Sequence, residues 1–300
     1  MADAQVGQGV IRMAVSMAVS VAGPRLTGMT TPTPETPTPE ILAAAGLQLD
    51  LTGPVATITL DRPDVRNAQT PAMWRALADL GAGLPGDVRV VVVRGNGPAF
   101  SAGLDRRLLD PSSIGGEEES VAGLVTLSDE ELSATIDAYQ RGFTFLRDPR
   151  FVSIAAVHGY AIGAGFQLAL SCDLRVLSTD AQLSMKEAAL GLVPDLTGTK
   201  PLVDSVGYAR ALEICATARM VGADEAVRIG LALAAVPTEQ LDSTVADLVQ
   251  ALVAPLPGAV TEIKTLLQGA DERDLETQRR LEREAQVRRF REMASLVGGR

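Results

Sequence analysis

This 300-residue chain is poor in several of the groups that most often carry chemistry. It holds one histidine, His158, so a multi-histidine metal site is excluded and a Ser-His-Asp triad would rest on a single imidazole. Its two cysteines, Cys172 and Cys215, are too few for a disulfide framework and show no metal-ligand spacing. Positive charge is scarce as well: 27 Lys+Arg against 37 Asp+Glu leave a formal net charge of −10. Such a molecule repels nucleic acid and anionic membrane, and any anionic ligand must be held by local donors. No uninterrupted apolar run reaches the ~18 residues of a spanning helix. These absences predict a soluble protein with no nucleic-acid or membrane partner, and a cytoplasmic location and no metal site are expected. What is present, 46% hydrophobic and 21% charged residues, is an ordinary globular mixture that can bury a core.

The first residues read differently from the rest. Met13–Gly23, after Arg12, has the look of a short signal-peptide apolar region, but a Thr/Pro repeat follows over residues 30–39 that favours extended backbone and buries nothing. Residues 1–42 are therefore expected to form a flexible extension. From there short apolar strands alternate with amphipathic helices. Val55–Leu60 alternates and stops at Asp61-Arg62-Pro63, and Thr70 with Pro71 starts a helix that carries Met73, Leu77 and Leu80 on one face. Val88–Val93 reads as a buried strand, Ser128 and Glu131 form a capping box, Val152–Val157 is the next strand, and Gly163 opens a helix to about Cys172. Leu174–Leu177 repeats the strand signal. The alternation predicts an α/β core over residues 43–240, with its chemistry on strand-to-helix turns, and a purely helical region over 241–300 ending in a charged helix, Leu275–Ala294.

Three segments concentrate the chemistry. Ala99–Asp105 (AFSAGLD) is a tight turn after a buried strand, whose small residues let a ligand approach and free amide N–H groups for an oxygen; plain turns look the same. His158–Gln167 (HGYAIGAGFQ) places glycines before a helix whose first N–H groups lack partners, a setting that stabilises negative charge. Its glycines fall out of the G-x-G-x-x-G register of a dinucleotide site, and His158 reads as a turn residue. Met185-Lys186-Glu187 through Asp195 puts two carboxylates in a loop, which by itself is more often solvated than catalytic.

Taken together, the order and spacing of these segments resemble the enoyl-CoA hydratase/isomerase, or crotonase, superfamily from about Leu47 to Val236, and Cys172-Asp173-Leu-Arg-Val176 fits it too. The resemblance implies a spiral of ββα units with a helical C-terminal trimerisation region, assembled as a homotrimer or a hexamer. It implies an acyl-CoA thioester substrate, with coenzyme A as part of the substrate and no separate cofactor. It carries an oxyanion hole to the N–H groups of Ala102 and Ala164, with Gly103, Asp105 and Gly163 shaping the ligand site. Arg62 and Arg66, with Arg106 and Arg107, flank the first two motif turns and are candidates for the coenzyme A phosphates.

The two family acids fall at Gln167 and, twenty residues later, Glu187, so only the second is kept. Asp195, eight residues past Glu187, stands where the dienoyl-CoA isomerase branch has a catalytic aspartate. Hydration must activate water and deliver a proton to the α-carbon, work suited to two acids, and Gln167 can hydrogen-bond but cannot exchange a proton. Double-bond migration needs only a base that removes a proton at one carbon and returns it at another. The expectation is thus an isomerase-like acyl-CoA enzyme using Glu187 with Asp195, the side chains of Gln167 and Glu187 facing each other across the acyl chain. An enoyl-CoA hydratase, or a non-catalytic acyl-CoA-binding relative, is the alternative.

Overall fold

The computed structural model describes residues 36–109 and 120–298. The Met13–Gly23 stretch and most of the Thr/Pro repeat lie outside the described residues. The remainder of the repeat is structured: Thr38 caps α1 (Pro39–Ala44), whose Leu42 is buried, and Thr36 donates a hydrogen bond to the carbonyl of Gly83. The folded part therefore begins before the expected boundary at residue 42. Capping and one buried leucine outweigh the extended bias of the prolines.

Nine strands form two sheets among the described residues. The larger runs in the order β1 (Leu47–Thr52), β2 (Val55–Leu60), β3 (Val90–Gly95), β4 (Val152–Val157), β6 (Leu174–Ser178), β9 (Ala234–Val236); the first pair is antiparallel and the rest parallel. The smaller consists of β5 (Tyr160–Ile162), β7 (Gln182–Ser184) and β8 (Val221–Gly222). The chain leaves β4 for β5, returns at β6, and leaves again for β7, so successive turns place one strand in each sheet and build a spiral.

Pleat alternation decides which face each side chain joins. Val91, Val93, Ala155, Val157 and Leu177 point into the main core with α2 (Pro71–Gly83), α4 (Asp129–Thr144) and α5 (Ala164–Ser171); short α3 (Val121–Leu124) precedes α4. Val90, Val92, Ile154, Ala156 and Val176 face the other way, under Leu241 and Val245 of α9 (Leu241–Val253). Being covered on both sides, these strands read as continuous apolar runs. The expected division at residue 240 is accordingly no break in packing, since α9 is one wall of the sheet. α6 (Thr199–Val206), α7 (Tyr208–Thr217) and α8 (Ala223–Arg228) precede it, and α10 (Ala259–Leu267) and α11 (Leu275–Gly298) complete the helical end.

The Cys172–Val176 segment holds this arrangement together. Asp173 Oδ2 accepts from Ser153 N at 2.8 Å and from the nearly buried Lys264 Nζ at 2.7 Å, which fastens α10 to β4. Arg175 donates to the carbonyls of Cys172 at 2.8 Å and Leu231 at 2.6 Å, closing the C-terminal end of α5. Burial pushes the Cys172 thiol up to about 12, so it stays protonated and inert.

Candidate active site

The turn after β3 is stitched down on both sides. Toward β5, Phe100 N and Ser101 N donate to the carbonyls of His158 and Tyr160 at 2.9 and 2.8 Å, and Ile162 N returns to Ser101 O at 3.0 Å. Toward the loop before α2, Ala102 N donates to Arg66 O at 2.8 Å, Gln69 N to Gly103 O at 2.7 Å, and Asp105 N to Gln69 O at 2.8 Å. Ser101 Oγ and the Trp74 indole, both bonded to the Gln69 amide, lock that loop in place.

This pattern corrects the first expected donor. The N–H of Ala102 is committed to Arg66 and cannot serve a ligand. In the parallel bridge between Gln69 and Leu104, Gln69 bonds the residues on either side of Leu104, so the N–H of Leu104 itself points away, and it has no partner among the described residues. Sequence could not distinguish the two, because which amide is free depends on the register against residues 66–69. That register needs Arg66 and Asn67 in the left-handed region, at φ 52° and 54°. The buried Asn67, missed at the level of sequence, fixes them by donating to the carbonyls of Asn96 and Ala99, each at 2.8 Å. Asn ahead of a strand-end turn was the available signal, since its side chain tolerates αL and bonds backbone.

At the second expected donor the amide is left without an acceptor. Gly163 (φ 51°) precedes α5, and Ala164 is the first helical residue, so its N–H lacks an intrahelical acceptor and has no other among the described residues. Gly103 (φ 86°) lets the two turns meet: a Cβ there would collide with the Ile162 carbonyl and lie 3.6 Å from Ala164 N.

Against these amides stands one carboxylate. Glu187 opens a single 3-10 turn, Glu187–Leu190, just past β7, and is only 8% exposed. Its Oε1 accepts from Gln167 Nε2 at 2.7 Å, while Oε2 is buried with no partner among the described residues. Burial raises its carboxyl above the ordinary value of 4.5; the neighbouring charge of Asp195 adds to this, and the Gln167 bond opposes it. Gln167 is fully buried, and its Oε1 accepts from Leu196 N at 2.9 Å and Gly198 N at 3.2 Å. The expectation that Gln167 and Glu187 face each other across the acyl chain is therefore overturned, since the two side chains touch directly. Asp195 is exposed at the rim, yet the atoms crowding its carboxyl raise it by desolvation, and its own carbonyl accepts from Gln140 Nε2 at 2.6 Å.

The cation candidates divide. Arg62 is taken up by the fold, bonded to the Ala68 carbonyl and to Asp105 Oδ2 at 3.0 Å. Asp105, 5% exposed, also binds Arg107 at 2.7 Å, and that guanidinium holds its carboxyl well below the usual range. Asp105 is a structural anion of the first turn, which removes it and Arg62 from the ligand site. Arg66 and Arg106 are exposed and in no ion pair among the described residues. His158 Nε2 donates to the Gly97 carbonyl at 2.9 Å, a turn residue. The described residues contain no group of acids, histidines and cysteines that could hold a metal ion, and no helix long and apolar enough to cross a membrane.

The chain matches the enoyl-CoA hydratase/isomerase family model over residues 51–296. The chain belongs to that family, and its fold is the crotonase fold. Among solved structures it is 51% identical to a Thermobifida fusca YX protein assigned as an enoyl-CoA hydratase. The complex of that protein with CoA gives a TM-score of 0.82 over 87% of this chain and 99% of that one; the complex with acetoacetyl-CoA gives 0.82 over 86% and 100%. Curated relatives include the peroxisomal Δ(3,5)-Δ(2,4)-dienoyl-CoA isomerase of Arabidopsis thaliana, 35% identical over 60% of this chain and 64% of that enzyme. The short-chain-enoyl-CoA hydratase of Clostridium acetobutylicum is 30% identical over 79% and 86%. The chain thus spans somewhat under two thirds of the plant isomerase and most of the bacterial hydratase.

Proposed function

We propose that this family member shifts the double bond of an unsaturated acyl-CoA, with Glu187 as the proton carrier. The N–H groups of Leu104 and Ala164 receive the thioester carbonyl oxygen and stabilise the enolate by several kcal/mol in a site poor in water. Glu187 takes the proton from the carbon next to the thioester; the electron pair moves onto the carbonyl oxygen as a conjugated enolate. Returning the proton farther along completes the migration, at the next reactive carbon for a 3-enoyl chain or at the end of the conjugated system for a 3,5-dienoyl chain. Asp195, at the rim, is the acid placed for the longer reach. Coenzyme A is the carrier of the substrate, and Arg66 and Arg106 are its phosphate partners.

The observation that carries this reading is Glu187 Oε2, a buried carboxylate oxygen with no partner among the described residues. A relative that only binds acyl-CoA has no use for so costly a group. Gln167 in place of a second acid favours migration over hydration. The hydratase reading draws on Asp195, whose charge reaches Glu187 and which could be the second acid. Leu267, Leu275 and Phe290, exposed on α10 and α11, support self-association as a trimer or hexamer.

The test is incubation with 3-enoyl-, 2-enoyl- and 3,5-dienoyl-CoA, followed by mass and ultraviolet absorbance. We expect new conjugated absorbance at unchanged mass from the 3-enoyl or dienoyl substrate. Predominant gain of water by 2-enoyl-CoA replaces this reading with the hydratase, and binding without turnover replaces it with the non-catalytic relative.

A further inference from the structure

We propose that Gln167 is a positioning residue that divides the Glu187 carboxylate into a fixed oxygen and a proton-carrying one, and that the same amide holds the turn following Asp195. The reacting role of Glu187 rests on the double-bond migration argued above; the bridge itself rests on geometry alone. Gln167 Nε2 donates to Glu187 Oε1 at 2.7 Å, and Oε2 of the same carboxylate is left without a partner among the described residues. On its other side Gln167 Oε1 accepts from Leu196 N and Gly198 N, the two amides that flank Thr197. Two N–H donors on one side and a carboxylate on the other leave the amide a single satisfactory orientation, oxygen toward the loop and nitrogen toward Glu187.

The loop needs such a clasp. Thr197 lies at φ 68°, a left-handed conformation that a β-branched residue adopts only under tertiary constraint. The loop also lies along the Gln167 side chain, for a Cβ at Gly198 would come 2.7 Å from its Cγ and 3.1 Å from its Cβ. Asp195 enters this turn directly, so one buried amide sets both the orientation of the inner acid and the backbone that presents the outer one.

The amide does both jobs without carrying a titratable proton. Methionine fills the volume but offers neither donor nor acceptor. Glutamate keeps the acceptor for the loop and places a second carboxyl about 3 Å from Glu187, where the two can persist only by sharing a proton. The amide also keeps proton traffic off Oε1, since it has no proton to exchange, and confines it to Oε2.

The experiment compares wild type, Gln167→Met and Gln167→Glu by three readouts: titration of Glu187 by carbon NMR of side-chain-labelled glutamate, assigned with Glu187→Gln; CoA binding by calorimetry; and the pH dependence of kcat and KM for double-bond migration. In Gln167→Met the Glu187 carboxyl should titrate at higher pH than in wild type, because the bond that favours its ionised form is gone. Its kcat should fall about 10–10²-fold, the scale of a misplaced reacting group, with KM and CoA affinity nearly kept. In Gln167→Glu the two acids should titrate as a coupled pair, with the activity limb moved further upward. Unchanged Glu187 titration in both variants overturns the bridge, as does wild-type kcat with a wild-type pH profile in Gln167→Met. If Gln167→Met does not fold, Gln167→Glu decides by the same titration. Absence of turnover in the wild type overturns the proposed reaction, and the NMR titration still judges the bridge.

Discussion

The carboxylate of Glu187 stands against Gly163, where an added Cβ would lie 3.3 Å from Oε1. Gly163 is also at φ 51° and immediately precedes the free N–H of Ala164. Gly163→Ala thus presses on the acid and strains the donor turn together. We expect kcat to fall about 10²-fold and stability to drop by about 1–2 kcal/mol. Steady-state kinetics with thermal denaturation check this, and full activity would show that neither group depends on that turn.

Glu187→Gln keeps the shape and removes the exchangeable proton, so turnover should fall about 10²–10⁴-fold with acyl-CoA binding preserved. Stability should move the other way. Burial raises the folded-state carboxyl above 4.5, so the folded protein binds the proton more tightly than the unfolded chain. The wild type therefore loses stability as pH rises through that window, and the variant does not. A Tm gain of about 2–4 °C at pH 8, shrinking as pH falls below the raised value, is the expected scan.

Asp195→Asn removes a negative charge that Glu187 senses. Ionised Glu187 is the base, so the acidic limb of the kcat/KM profile should move to lower pH while the plateau falls through loss of the outer acid. A limb that stays in place would separate the two carboxylates electrically.

Arg62 and the pair Arg66 and Arg106 should behave oppositely. Arg62→Met breaks the contact with the nearly buried Asp105 and should cost about 1–3 kcal/mol of stability. That loss should be greatest above the ordinary aspartate value of 3.8 and fade as acid protonates Asp105, whose folded-state carboxyl is held low. Gln at both Arg66 and Arg106 should leave Tm unchanged and weaken CoA binding roughly tenfold, the scale of a charge-assisted hydrogen bond. Calorimetric titration with CoA reads the difference, and unaltered affinity in the double variant would remove both arginines from the ligand site.

Leu42→Ala tests where the fold begins. The side chain is 2% exposed in the main core, so about 2–4 kcal/mol should be lost in chemical denaturation. A neutral result would return α1 to the extension.

The elements that sequence made legible are those whose signals are local. The Val55–Leu60 alternation, the Thr70-Pro71 start and the Ser128/Glu131 capping box are each settled within a few residues, and all appear where expected. The small sheet was invisible because β5 and β7 are three residues each and exist only through pairing with distant segments, β7 with both β5 and β8. Val221–Gly222 is shorter still. In the site, glycine at 103 and 163 and acid at 187 were readable from the motifs, since those positions demand a residue type.

What the amino-acid order by itself determined is the inventory: glutamine where a second acid could stand, one acid at Glu187, another at Asp195, and helix starts and turns that follow local rules. Tertiary structure decided how that inventory is wired. It committed the N–H of Ala102 to Arg66 and freed that of Leu104, bound Arg62 to Asp105, and set Gln167 directly against Glu187. The physical reason is that a free amide, a paired cation or a buried carboxylate is defined by what lies opposite it. Those partners come from residues 20 to 43 positions away, brought together by strand register and by the spiral of the chain.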